Sequence, residues 1–411
     1  MILTDPVTKQ QVTRRVPDKG RQARHVLTVN GRVKLVRRCY SGGPQTGSLV
    51  PVDQVLDPGL ATITVGVREL ACRLNNDGTS FDTTAENLAR AAMVQMSGEQ
   101  LRQTVLAEGR AVLAAQQANT VRPAFQATDC VVDPKADQKT TRIYTGTDGV
   151  MVPMVTEQEK VLRRNKCREK RRLVRRKLAP LPPRNPGADQ SYKEFKVIVF
   201  YDEHGKHWHE TFSRRTRKTI GVLIRRDARR LGFAHADEKV ANVDGATWIK
   251  NQLEERPEQL PLDGLGLDFY HLSENVHRCR RRVFGVTDPA GVKWADELLH
   301  TLKHDGYEPA HARLFEWRQG LRSPSKRKLA DRLLNYITDR REMINYPEFQ
   351  QKGWQIGSGP TESRCKTTTQ RLKGRGRRWD RPNAEEVAAL TTLKDSGQWT
   401  AYWRTLCPTI G

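Results

Sequence analysis

The chain has 411 residues, enough for a sizeable core and more than one domain, and its 71 Lys+Arg against 47 Asp+Glu leave a formal charge of +24. A pI near 10.0 favours nucleic acid or an anionic membrane surface as partner. No apolar run reaches the roughly 18–20 residues needed to span a bilayer, and MILTDPVTKQ lacks a signal peptide's apolar stretch, so the expectation is a cytoplasmic protein with no membrane partner.

Residues 1–65 carry short alternating apolar runs such as RHVLTVNGRVKLVRRCY. Asn30-Gly31, set between two such runs, predicts a hairpin in a small β-rich module. Residues 66–120 turn helical. TTAENLARAAMVQ places Leu88, Ala91, Ala92 and Val94 on one stripe, with Thr83 or Thr84 as the expected cap. EQLRQTVLAEGRAVLAAQ follows after Met96-Ser97-Gly98. Two helices joined by a short Ser-Gly turn fit a DNA-binding helix-turn-helix and, equally, an ordinary αα-hairpin. The seven cysteines (Cys39, Cys72, Cys130, Cys167, Cys279, Cys365, Cys407) are scattered without a Cys-x-x-Cys pair, so neither a disulfide framework nor a zinc ribbon is expected.

A polar connector over 121–142 leads into TRIYTGTDGVMVPMV, an extended segment with Asp148-Gly149 in its middle. The densest charge run follows at 159–186, nearly all Lys and Arg and Pro-rich at its end. It cannot build a core, and phosphates alongside would relieve its self-repulsion. Arg163, Arg164, Arg171, Arg172, Arg175 and Arg176 are its candidate DNA contacts.

KEFKVIVFYDEHGKHWHETFS predicts two strands around a turn at Asp202-Glu203-His204-Gly205, and RKTIGVLIRRDARRLGF an amphipathic helix. EKVANVDGATWIKNQLEER reads as a strand ending at Asp244 followed by a helix; GLGLDFYHLSENVHRCRRR repeats the arrangement at Asp268. Residues 286–349 look all-helical. Gly-Ser-Gly-Pro then opens a helix, with Ser or Gly as cap, Pro in the first turn and Glu362 at the positive end of the dipole. That helix and its exit carry Lys366, Arg371, Lys373, Arg375 and Arg378 as further phosphate-facing candidates.

Phosphodiester chemistry needs hard divalent cations, which prefer oxygen ligands. Two such ions about 4 Å apart can activate the attacking oxygen and stabilise the leaving one. Asp148 and Asp244, each followed by Gly, sit where short apolar strands are expected to end, and Glu362 comes late on a helix. This order is the one an RNase H-like nucleotidyl-transfer core would supply. Asp202 fits a hairpin loop better and ranks below them.

TDGVMVPM, VDGATW, DFYH, IGSGPTESRCK and RLKGRGRRW, in that order over residues 140–406, resemble the signature blocks of bacterial insertion-sequence DDE transposases. They are most similar to the ISKra-type group and more distantly to the Mutator-like superfamily. The resemblance implies an α/β fold: an RNase H-like catalytic core over 140–406 with an all-α insertion at 286–349, behind the β and helical N-terminal regions. It implies Asp148, Asp244 and Glu362 as catalytic acids and ligands of two divalent cations (Mg or Mn), with Asp268 and His271 near the site. It also implies double-stranded DNA, as transposon ends and target, for partner, and a homodimer or higher oligomer on that DNA. Trp248 and Trp379 fit the pattern. One departure is RRCYSGGPQ, where Cys39 stands alone although relatives often carry Cys-x-x-Cys. Two other readings stay open: a transposase-derived DNA-binding regulator or scaffold, and an RNase H-like nuclease that only hydrolyses.

Overall fold

The computed structural model describes residues 2–4, 11–13, 17–41, 48–51, 62–172, 190–254 and 259–406. The chain divides into two compact units, Met1–Val121 with Gln398–Gly411, and Arg122–Gly397.

In the first unit, β1 (Ile2–Thr4) pairs with β2 (Gln11–Thr13), and β3 (Asp18–Thr28) with β4 (Gly31–Ser41), both antiparallel, while β4 also takes up β5 (Ser48–Leu49). The β3–β4 turn is Val29-Asn30, one residue before the expected Asn30-Gly31 pair, since Thr28 pairs with Gly31; Gly31 opens β4 at φ +100°, a backbone state that glycine adopts without penalty. Three helices follow, α1 (Val65–Asp77), α2 (Phe81–Ala92) and α3 (Gly98–Gln117). The cap of α2 is Ser80, whose hydroxyl accepts from Thr83 N at 2.9 Å, so Thr83, the expected cap, lies inside the helix. Ser97 caps α3 in the same way. The helices bury Val67, Ala71, Cys72, Leu88, Leu101, Val105 and Val112. A C-terminal helix, Trp399–Leu406, joins this unit through a 2.5 Å hydrogen bond from the Trp399 indole to Glu69.

The second unit is built on a mixed five-stranded sheet. Its strands are β6 (Arg142–Pro153), β7 (Tyr192–Asp202), β8 (Trp208–Ser213), β9 (Glu238–Val243) and β10 (Gly264–Leu267), in the order β10-β9-β6-β7-β8. β7 runs antiparallel between β6 and β8, whereas β9 and β10 are parallel to β6. The near-continuous apolar run VIVFY makes β7 a strand buried on both faces. Asp202 closes the β7–β8 hairpin by accepting from His207 N at 2.9 Å.

One face of the sheet, with Ile143, Ile198, Phe200, Ala241 and Val243, packs on the other helices of the core. These include α5 (Gly221–Arg230), which follows the basic helix α4 (Glu157–Arg172), and α6 (Thr247–Glu254). Between Asp268 and the closing helices the described residues contain α7 (Phe269–Val283), α8 (Pro289–His304), α9 (Tyr307–Gly320), α10 (Pro324–Thr338) and α11 (Tyr346–Gln351), and no strand. Phe284, Trp294 and Trp317 stack into an aromatic knot, with Trp294 and Trp317 centroids 4.3 Å apart. The helix α12 (Gly359–Lys373) lies against β6, and α13 (Arg381–Asp395) follows it.

The basic run begins as α4, held at its start by a reciprocal pair between Thr156 and Glu159. Lys160 reaches Asp380 at 2.9 Å and Arg378 pairs with Glu159, so the helix is fastened to the segment after α12. Arg175 and Arg176 lie outside the described residues.

Candidate active site

Asp148 lies in the middle of β6, as the extended segment TRIYTGTDGVMVPMV implies, and not where a strand ends. The Asp-Gly pair does not turn, because the β6–β7 ladder continues unbroken from Ile143↔Asp202 to Pro153↔Tyr192. Thr145 and Thr147 add side-chain bonds to the carbonyls of Val199 and Val197. Alternation along the strand puts Gly146 and Asp148 on the face opposite Thr147 and Gly149. At Gly146 the helix α12 comes down on the sheet, and any β carbon there would collide with the Thr361 side chain. This close approach brings Glu362, the next residue of α12, over the Asp148 face.

Asp244 directly follows β9. Its Oδ1 accepts from Ala246 N at 2.8 Å, and Gly245 at φ +79° makes the turn into α6. A side chain at Gly245 would also meet Leu267 Cδ1 at 2.5 Å and Arg340 Nε at 2.6 Å.

Asp268 is 1% exposed and serves two helices. Its Oδ1 caps α7, accepting from Tyr270 N at 2.6 Å and His271 N at 3.0 Å. Its Oδ2 accepts from Ser358 N at 2.7 Å and from the Ser358 hydroxyl, at the start of α12. Ser358, the expected cap of α12, accepts no backbone N–H with its hydroxyl, which instead donates to the buried Asp268 carboxylate. Burial alone would raise the Asp268 pKa, but the contacts with His271 and Ser358 overcome it and hold it at about 2.

His271 Nδ1 lies 3.7 Å from Asp268 Oδ2 and 3.5 Å from Glu362 Oε1. The neighbouring Asp268 carboxylate, aided by the charges of Glu362 and Asp244, pushes the imidazole up to about 9. Asp148 is raised above the usual carboxylate range, chiefly by burial and further by the charge of Asp244, with His271 and Lys196 opposing. Asp148, Asp244, Asp268, His271 and Glu362 thus share one electrostatic neighbourhood.

Ligand atoms of Asp268, His271 and Glu362 lie within 4.8 Å of one another. Asp268 is nonetheless a poor metal ligand, since four donors already occupy its oxygens. Asp148 and Asp244 each keep an oxygen that takes no hydrogen bond among the described residues, and Glu362 is half-exposed. An oxygen donor set of that kind suits a hard divalent cation.

Lys196 is the residue that sequence reasoning passes over. It stands opposite Gly149 in the ladder and is 1% exposed. Its ammonium is 2.6 Å from Glu194 Oε1 and 4.2 Å from the centroid of the Trp248 ring. Burial lowers its pKa, while Glu194 and Asp148 favour the charged form. The only sign of it in the sequence is a single lysine inside the apolar run EFKVIVF.

No family model and no curated protein matches this chain. Among solved structures it is similar to a Drosophila P element transposase strand transfer complex, at 13% identity and a TM-score of 0.29, over 84% of this chain and 82% of that one. A superposition this loose assigns neither fold nor chemistry. Among the described residues, no helix is long and apolar enough to cross a membrane.

The cations around the site divide by exposure. Lys366, Lys373, Arg375 and Arg378 on α12 and its exit are exposed, as is Arg163 on α4, with Arg164 half-buried. Arg171 and Arg172 belong to the last turn of α4. Arg371 differs: it is 3% exposed, its guanidinium 5.4 Å from the centroid of the Trp379 ring, and burial lowers its pKa to about 10. It is a core residue of α12 and offers no surface to a phosphate. Arg364 likewise points inward, 3.9 Å from the Trp208 ring centroid and 3.1 Å from the buried Glu210.

Proposed function

We propose that this chain is a DNA transposase of the DDE type, with the Arg122–Gly397 unit as its RNase H-like catalytic core. What supports the reading is that three acids from separate elements share the electrostatic surroundings of His271, of which Glu362 alone joins it in a close ligand-atom cluster among the described residues. Asp148 comes from the middle strand, Asp244 from the end of the parallel strand beside it, and Glu362 from the helix seated on Gly146. A central strand with one antiparallel and one parallel neighbour supports the same reading of the core.

Asp148, Asp244 and Glu362 would hold two divalent cations, Mg or Mn, which when bound activate the attacking oxygen and stabilise the leaving one. In the first step water attacks a phosphodiester at the transposon end and frees a 3′-hydroxyl. In the second that hydroxyl attacks a phosphodiester of target DNA, displacing a new 3′-hydroxyl there. Asp268 keeps α7 and α12 in register, so that His271 and Glu362 face each other. Lys196 sets a fixed positive charge under the strand that carries Asp148. Lys366 and Lys373, exposed on α12 beyond Glu362, would hold phosphates on either side of the reacting one. Synapsis of two ends calls for a dimer or higher assembly on DNA.

The test is cleavage and joining of DNA carrying the element's ends, with magnesium, by the wild-type chain and by Glu362→Gln. Cleavage and joined products from wild type, and neither from the variant, are expected. Equal cutting by the variant would remove Glu362 from the site. Hydrolysis without joined product would favour a nuclease, and binding without cutting a regulator.

A further inference from the structure

The helices α7 and α10 enclose a groove lined by Asn275, Arg278, Arg282, Arg332 and Tyr336. Arg278 and Arg282 stand one turn apart on α7, as do Arg332 and Tyr336 on α10, so each pair presents one helix face to the groove. Arg278, Arg282 and Arg332 are exposed. Arg278 bonds only the neutral amide of Asn275, at 3.1 Å. Asp331, next in sequence to Arg332, is already engaged by Arg318 at 2.7 Å. Three guanidiniums thus share the groove without a carboxylate of their own among the described residues.

The groove has a direction. At its inner end the Arg340 guanidinium lies 4.1 Å from the centroid of the Tyr336 ring, and Arg340 Nε donates to Gly245 O at 2.9 Å, beside Asp244. The charges of both Asp244 and Arg278 reach Tyr336. Arg278, Arg282 and Arg332 thus share the groove with Tyr336, and Tyr336 connects it through Arg340 to the backbone beside the second acid of the site. One helical turn separates Arg278 from Arg282 by about 6 Å, on the scale of neighbouring phosphates along one strand.

We infer that this groove is a track for the DNA backbone, leading the phosphates of one strand across α7 and α10 to Asp244. The inference rests on the reading of the three acids as a DNA-processing site, and it places a binding surface outside the basic run and α12. An acidic protein segment would match the charge, but it gives no reason for the groove to connect to the backbone beside Asp244.

The experiment is DNA binding by the full chain, wild type against the double variant Arg282→Gln/Arg332→Gln, over a series of salt concentrations. Both side chains are exposed, so the thermal unfolding midpoint should not move. Affinity should fall about tenfold, and the slope of log K against log salt should shrink by about 2, near 0.9 for each phosphate no longer neutralised. A photocrosslinker on Arg332→Cys should label DNA. Unchanged affinity and slope, weakened binding with an unchanged slope, or crosslinks formed only within protein would each overturn the track. Wild type that binds with the expected slope but never cuts would sink the transposase reading and leave the track standing. Cleavage that survives with no change in slope would do the reverse.

Discussion

Gly146 on β6 and Thr361 on α12 touch so closely that one methyl group on the glycine would overlap the threonine side chain. The contact sets how near Glu362 comes to the Asp148 face. Gly146→Ala should therefore cost about 1–3 kcal/mol of stability, as overpacking does. It should also cut cleavage more than tenfold while DNA affinity stays within twofold. Adding Thr361→Ala, which removes the nearest atoms, should restore part of both losses. Urea unfolding and single-turnover cleavage measure them, and a Gly146→Ala protein that is fully active would remove the contact from the account.

Lys196 should show itself through magnesium. Its charge repels any cation held by Asp148 and favours the ionised acid. With Lys196→Met the magnesium concentration for half-maximal cleavage should fall about three- to tenfold, from the loss of one nearby unit charge in a partly buried setting. DNA affinity should be unchanged, because the ammonium is 1% exposed. A rise in the magnesium requirement would contradict this role.

Glu210, buried on β8, supports α12 from beneath: its Oε2 accepts from Thr368 at 2.8 Å and its Oε1 faces Arg364. Burial, with help from Asp395, raises its pKa to about 7 against the pull of Arg364. The folded state thus binds its proton more tightly than the unfolded chain. The resulting stability is fully present below the ordinary value of 4.5 and is lost as pH rises through about 7. Unfolding free energy should decline by about 1–3 kcal/mol between pH 5 and 8 from this group, and Glu210→Gln should flatten that part of the profile. A profile identical in the two proteins would rule out Glu210 as its source.

In the N-terminal unit, Ser80→Ala removes the hydroxyl that accepts from Thr83 N and should cost about 1 kcal/mol. Thr84→Val should cost less in capping, since the Thr84 hydroxyl bonds the Ser80 carbonyl from within the helix. Thermal unfolding of the two variants gives the order.

Local signals are the readable ones. Asn30-Gly31 and Asp202-Glu203-His204-Gly205 each mark a hairpin that stands in the structure, the first with its turn at Val29-Asn30 and Gly31 opening β4. Asp244 before a left-handed glycine and Glu362 in a first helical turn follow the same logic. Asp148-Gly149 carries the same local signal but does not turn, because pairing along all of β7 outweighs a dipeptide preference. Arg371 reads as one more surface cation in a basic helix, yet it shares the buried face with Cys365, Thr368 and Leu372. The work of Asp268 is out of reach of the sequence, since its partner Ser358 is 90 residues away. Lys196 is hidden for a similar reason: Glu194 stands on the same face of β7 two residues before it, but the Trp248 ring that completes its setting comes from a distant part of the chain.

The bond between Asp268 and Ser358 also separates what must stay fixed from what is free to vary. The chain leaves the sheet at Asp268 and returns at Ser358, and Phe269 N to Ile356 O, at 2.9 Å, closes the same neck. The helices in between form a loop whose two ends are clamped together. Lengthening a closed loop costs only about 0.6 kcal/mol per doubling. A length change in a turn between helices far from the neck should therefore leave Glu362 in place, while the apolar faces those helices share with the core of the sheet must be kept.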